Sequence, residues 1–234
     1  PSPYAGIGLN VMRAVVSYAG SPVTVWKDGR RGTLPGLASS VRFTIAPPGK
    51  EPLRSTHFSR VDVPDLQVLP PEHPGMQSIW MGAGPVPEFL HRILNVMARA
   101  RARFGLPSFA AWSPLFYRVL NLMKFGEHRG GMFVQVDGLI EGKRAKRSWH
   151  LLAEGNDGPY IPSMSIETLV RKQLNGIRLE KGARPAVNAL QLAELDKVFA
   201  TKTVHTGFRQ DVGNEQPLYR QLLGSVFKEL PKTI

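Results

Sequence analysis

Residues 130–176, GGMFVQVDGLIEGKRAKRSWHLLAEGNDGPYIPSMSIETLVRKQLNG, constrain this chain more than any other stretch. Residues 132–136 and 148–153 are rich in β-branched, aromatic and aliphatic side chains, which predicts two strands of an antiparallel hairpin. The Gly/Pro loop at 155–162 follows. Residues 165–174 then place Ile166, Leu169, Val170 and Leu174 on one side of a helix closed by Asn175-Gly176. Strands and helices come in mixed order through the chain. That is not the regular alternation of a doubly wound sheet, so the fold class is α+β, with a mixed or mainly antiparallel sheet and helices packed on one side.

The flanking sequence agrees. Leu9, Met12, Val15 and Val16 have helical spacing, with Gly20 as a stop. Residues 22–26 predict a strand turned by Asp28-Gly29. Residues 41–45 alternate and are broken by Pro47-Pro48-Gly49. Residues 46–75 are rich in proline, histidine and charge, and predict a long excursion with little regular structure apart from a short turn near 64–69. Residues 77–81 predict a short strand. Residues 86–104 predict a helix with Phe89, Leu90, Ile93, Leu94 and Met97 on its core face and Arg92, Arg99, Arg101 and Arg103 adding charge. Ser113 caps a second helix reaching about residue 125. A helix over 191–200 and a strand over 203–208 follow. After a polar linker at 211–216, Tyr219, Leu222, Leu223, Val226, Phe227 and Leu230 form a regular helical stripe.

Hydrophobic residues make up 42% of the 234, enough for a sizeable core. No run of roughly 18 apolar residues predicts a membrane span, and no charged-then-apolar leader indicates secretion. The absence of cysteine excludes disulfides, thiolate chemistry and Cys-bound zinc, and fits a cytoplasmic protein. The net charge of +12 favours anionic partners. The charges are dispersed rather than interleaved with aromatics, and neither an RNP-type motif nor a helix-turn-helix pattern is present, so nucleic acid is not expected.

Motifs for chemistry are sparse. Gly6-Ile7-Gly8 has Val11 where a dinucleotide-binding turn needs its third glycine, so no cofactor-binding residue is assigned. The six histidines include no i, i+4 pair, and no metal site is expected. His150 and His205 read as packed strand histidines. Arg129, Gly130 and Gly131 are more suggestive. Two glycines allow close backbone approach, and an arginine in a surface turn, with little role in folding, can grip a carboxylate with both prongs. Gly158 and Tyr160 belong to a loop that opens a helix, where free N–H groups attract anions. These five residues are the candidate substrate site; catalytic residues are not identifiable. The Lys143–Arg147 run is a basic hairpin tip.

Several of these pieces together resemble the saccharopine dehydrogenase-like oxidoreductases. They are SPVTVWKDG at 21–29, VDVPDL at 61–66, GGM at 130–132 and GPYIP at 158–162. The similarity covers roughly residues 15–185. The stripe LYRQLLGSVFKELP at 218–231 is similar to the opening of an uncharacterised domain often fused after this one.

The resemblance implies that residues 1–212 are the second, substrate and dimerisation domain of a two-domain NAD(P)-dependent enzyme, and that 213–234 begin a following domain. The dinucleotide-binding domain would lie N-terminal to Pro1, so this piece alone is expected to bind no NAD(P). Its implied partners are that domain, a second copy of itself and a small anionic substrate. The alternative is a non-catalytic basic module on a membrane surface or another protein, because the helix over 86–104 is basic and amphipathic.

Overall fold

The hairpin expected in mid-chain is the longest ladder of the computed structural model, which describes residues 8–84, 88–122, 127–155, 157–178 and 181–212. Strands β6 (Gly130–Ile140) and β7 (Lys143–Ala153) pair from Gly130↔Ala153 to Ile140↔Lys143. Glu141 and Gly142 turn the hairpin with φ of 51° and 76°, the positive values that a two-residue primed turn requires. The ladder exceeds the expected 132–136 and 148–153 because its outer half is an exposed ribbon in which Asp137-Gly138 and the basic run at 143–147 interrupt the apolar pattern. Strand β8 (Val204–Val212) pairs along β7 from Ala153↔Val204.

Two smaller sheets precede it. Strands β1 (Pro22–Lys27) and β2 (Arg30–Pro35) form a hairpin on the expected Asp28-Gly29 turn. Strands β3 (Ser40–Ile45), β4 (Leu53–Arg60) and β5 (Gly82–Ala83) form the other. Every named strand pair is antiparallel, so the class is α+β.

Two expectations for residues 46–81 need correction. The proline-rich excursion contains the eight-residue β4 and helix α2 (Asp65–Glu72). In β4, Leu53 and Ser59 are buried while Arg54 and Ser55 are exposed. Charge and histidine along the strand hid these buried positions. Residues 77–81 form no strand; Ile79 makes a single bridge to Trp26.

Helices α1 (Leu9–Tyr18), α3 (Glu88–Phe104) and α4 (Ser113–Leu122) follow the sequence reading over the described residues, the expected start of α3 at 86 and end of α4 near 125 lying outside them. On α3, Leu90 and Leu94 pack inward as expected, but the most buried stripe is a neighbouring one. His91, Asn95 and Ala98 are buried, whereas Phe89, Ile93 and Val96 are 40–57% exposed. These buried polar groups hydrogen-bond through Ser59, and His91 Nδ1 alone of that ring's nitrogens has no partner. Asn95 Nδ2 donates to the Leu37 carbonyl (2.6 Å) and to Ser59 Oγ (2.8 Å), and Ser59 Oγ meets His91 Nε2. A hydrogen-bonded stripe can be buried where unpaired polar groups cannot. Helix α5 (Ile161–Leu174) behaves similarly. It buries Met164 and Thr168 and leaves Ile166, Val170 and Leu174 exposed. Its C-terminus ends at Asn175 and Gly176 as expected.

The C-terminal end of β7, from His150 to Ala153, is buried on both sides. Successive strand residues face opposite ways. Leu151 and Ala153 pack with Met164 of α5, with Val198 and Phe199 of α6 (Leu192–Phe199), and with Val204. Leu152 faces the other way and packs with Ile45 and Leu53, flanked by Phe58 and Phe133. This second contact seats the β3–β4 sheet on the β6–β8 sheet. The stripe at 218–230 and the boundary near 213 lie outside the described residues.

Candidate functional site

The seam between these two sheets holds the two cavities that the candidate residues touch or adjoin. Its floor is aromatic: Phe43 meets Phe133 at 4.9 Å between ring centroids, and Phe133 stacks on His150 at 5.7 Å. The first cavity, about 220 Å³, is lined by residues 52–58 of β4 and the segment before it, by Gly84 and Glu88, and by Glu127, Arg129, Gly130 and Gly131. The second, an open groove of about 770 Å³, shares Pro52, Arg54 and Ser55 with the first and runs on to Gln135, Lys146, Ser148, His150 and Arg209.

Arg129, Gly130 and Gly131 thus come together on one cavity wall. The glycines have different roles. A Cβ on Gly131 would sit 2.6 Å from the Leu151 carbonyl oxygen of the neighbouring strand β7, which requires glycine there, and 3.1 Å from the Ile45 side chain of the facing sheet. A Cβ on Gly130 would meet nothing within 4 Å.

Arg129 is not the free surface guanidinium that its turn suggested. Its Nε and Nη2 donate to the two Glu127 carboxylate oxygens at 2.9 and 2.7 Å, and its Nη1 donates to the Glu51 carbonyl at 2.8 Å. The Arg129 side chain is 19% exposed, so the pair is partly desolvated. Hydrogen bonding from Arg129 holds the Glu127 carboxyl below its ordinary range, and Glu127 in turn raises Arg129. The arginine clasps the start of β6 to the segment before β4.

Gly158 and Tyr160 do not line either cavity. Gly158 lies against Ala153, whose side chain points into the α5–α6 cluster on the opposite face of β7. Gly130 and Ala153 are register partners, so the two ends of the hairpin are adjacent, as antiparallel pairing demands. Gly131, the register partner of Leu152, is on the seam face, opposite the face of Ala153 and Gly158. Tyr160 is 55% exposed, with the Lys202 ammonium 4.8 Å from its ring.

Groups that the sequence did not single out surround the first cavity. Glu88 Oε1 accepts from Arg42 (3.0 Å) and Arg92, and lies 3.2 Å from His57 Nε2. His57 Nδ1 meets Ser40 Oγ at 3.0 Å. The Arg92 hydrogen bond above all, with help from His57 and Arg42, holds the Glu88 carboxyl below its usual range. Behind them, His91 is fully buried, and desolvation pushes its pKa down to about 4. No local motif signals this cluster, because its members come from β3, β4 and α3 and meet only in three dimensions.

His150 is a packed strand histidine, as read from sequence. The Ala46 N–H donates to its Nδ1 (3.2 Å), so Nε2 carries the proton and donates to Ser148 Oγ at 2.9 Å. Burial first, then Arg209, lowers its pKa. His205 lies 3.7 Å from the Glu154 carboxylate. In the basic run, Arg147 stacks over Phe208 at 4.5 Å and Lys146 reaches the second groove.

Among the described residues, no group of three or more histidine and carboxylate side chains is placed to hold a metal ion. No described helix is long and apolar enough to cross a membrane. No family model matches the chain, and no curated protein matches it.

Proposed function

We propose that this chain is the second domain of a saccharopine dehydrogenase-like, NAD(P)-dependent oxidoreductase. In this reading it shapes the wall of a cleft for a small anionic substrate, and a preceding dinucleotide-binding domain supplies the cofactor. The sequence landmarks at 21–29, 61–66, 130–132 and 158–162 support the family. The observation that carries the cleft is the seam where Gly131 brings β6 against Ile45 and leaves two adjoining cavities, one of them rimmed by cations. The domain positions and encloses a substrate; hydride transfer belongs to the cofactor when it is bound.

The test is a polypeptide extended N-terminally through the next domain, assayed by absorbance for oxidation of NADH and NADPH. Small dicarboxylic carbonyl compounds serve as acceptors. Turnover that depends on both nucleotide and acceptor supports the reading. An extended polypeptide whose preceding segment has no strand followed by G-x-G-x-x-G, and which turns over neither nucleotide, overturns it.

One observation favours a second reading, a membrane-surface module. On α3, Phe89, Ile93, Val96 and Phe104 are 40–73% exposed beside Arg99 and Arg103. An interfacial helix presents such a face. It ranks second because Arg92 is held by Glu88 and Arg101 donates to the carbonyls of Ser17 and Ala19, which removes half of the helix's four arginines from a lipid surface. Co-sedimentation with vesicles containing anionic lipid decides it: retention in the supernatant at low salt removes this reading.

A further inference from the structure

We propose that the open groove beside the first cavity is the seat of a doubly charged oxyanion, a phosphate group or a dicarboxylate, held by Arg54, Lys146 and Arg209. The inference rests on the reading of this domain as the wall for a small anionic substrate, and moves the anion's seat away from Arg129. The arginines and carboxylates of the first cavity cancel, since Glu127 neutralises Arg129 and the Glu88 carboxylate offsets Arg54, which lines both spaces. The adjoining groove has no such balance. Its lining contains two guanidinium groups, one ammonium group and no carboxylate.

The three cations come from different strands. Arg54 projects from β4, Lys146 from β7 and Arg209 from β8. Their convergence is therefore a product of the sheet-to-sheet seam rather than of a local charge run. Arg54 and Lys146 form no ion pair with any described residue. Arg209 is oriented from behind, its Nε donating to the Ala46 carbonyl at 2.6 Å. That leaves its terminal nitrogens as further donors. Ser148 and Ser55 add hydroxyls. Lys146 has an acidic register partner on each side, Asp137 on β6 and Asp211 on β8, and Asp137 Oδ2 accepts from Gln135 Nε2 at 2.8 Å. The groove's volume of about 770 Å³ suits an organic anion rather than a bare ion. Two arginine forks from facing sheets favour planar, multidentate oxyanions over chloride.

The experiment is calorimetric titration of the whole chain with pyrophosphate, with glutarate and with chloride as a control. It is done at low ionic strength, where exposed charges are least screened. The two oxyanions separate a phosphate seat from a carboxylate seat. The Arg54→Gln/Lys146→Gln double variant removes the two unengaged cations. The Lys143→Gln/Arg144→Gln variant removes the same net charge from the hairpin tip. The proposal expects at least tenfold weaker oxyanion binding in the first variant, less than twofold in the second, and an unchanged melting temperature in both. Equal weakening in the two variants means diffuse attraction to a basic protein and overturns the seat, as does saturable binding of neither oxyanion. Either result leaves the cofactor test of the extended polypeptide untouched, so the two readings fail separately.

Discussion

Arg129 and Glu127 form a two-pronged ion pair, 2.9 and 2.7 Å, at the base of the central hairpin. The arginine also donates to the Glu51 carbonyl, so one side chain fastens the start of β6 to the segment leading into β4. Arg129→Ala breaks these side-chain bonds and takes the guanidinium from a partly buried carboxylate, which keeps the backbone N–H of residue 129. It should destabilise the domain by about 1–3 kcal/mol in urea unfolding at pH 7. A loss below about 0.5 kcal/mol would return Arg129 to the status of a surface residue.

Gly131 stands where a side chain cannot. Gly131→Ala places a Cβ against the Leu151 carbonyl, and backbone cannot rotate out of the way. Overpacking of this kind costs about 1–3 kcal/mol. Gly130→Ala, with open space around it, should lie within about 1 kcal/mol of the parent. Thermal unfolding of the pair measures the difference; equal melting temperatures would contradict the crowding of Gly131 against β7.

Leu152 ties the two sheets together and is fully buried among Ile45, Leu53, Phe58 and Phe133. Leu152→Ala should cost about 2–5 kcal/mol. The comparison is Leu139→Ala on the outer ribbon, where the side chain is 71% exposed and little should change. Similar losses at both sites would show that the ribbon, not the seam, carries the packing.

His91 sets a pH dependence. Its folded pKa is near 4, against 6.5 for the free group, so the unfolded chain takes up the proton first as pH falls. The stabilisation is complete above pH 6.5 and is lost as pH falls from there toward 4. The slope is about 1.4 kcal/mol per pH unit for one histidine within that window. His150, also lowered, acts in the same direction. Glu88 and Glu127 have lowered pKa values, so their contributions are lost only below the ordinary carboxylate range. Urea unfolding at pH 7 and pH 5 should therefore show a fall of about 2 kcal/mol or more. The His91 ring resonances should stay flat across this range, and a titration midpoint near 6.5 would contradict its burial.

Sequence patterning revealed the elements that are punctuated by turns and aliphatic residues. The Asp28-Gly29 and Asn175-Gly176 turns, the core of the hairpin, and the extents of α1 and α6 follow from local chemistry. It misjudged the elements whose buried face is polar. In α3, apolar residues pointed to one side and His91 and Asn95, which both meet Ser59 Oγ, to another; tertiary partners that no local pattern reveals decided between them. Strand β4 was hidden for the same reason, since Ser59 is fully buried and Arg54 marks the outside. At the candidate site, sequence brought out Arg129 and Gly131 but not Glu127, two residues away from the arginine it neutralises. The groove cations could not be grouped at all, because 54, 146 and 209 become neighbours only when the two sheets meet.

The central claim, that the cofactor is bound by a preceding domain and not by this one, is tested most directly by calorimetric titration with NADH and NADPH. The residues at 1–234 alone and an N-terminally extended polypeptide are measured side by side. The account predicts no measurable heat of binding for residues 1–234, which lack a strand, G-x-G-x-x-G turn and helix in sequence, and micromolar binding of one nucleotide by the extended polypeptide. Micromolar binding by residues 1–234 alone, or none by the extended polypeptide, would contradict it.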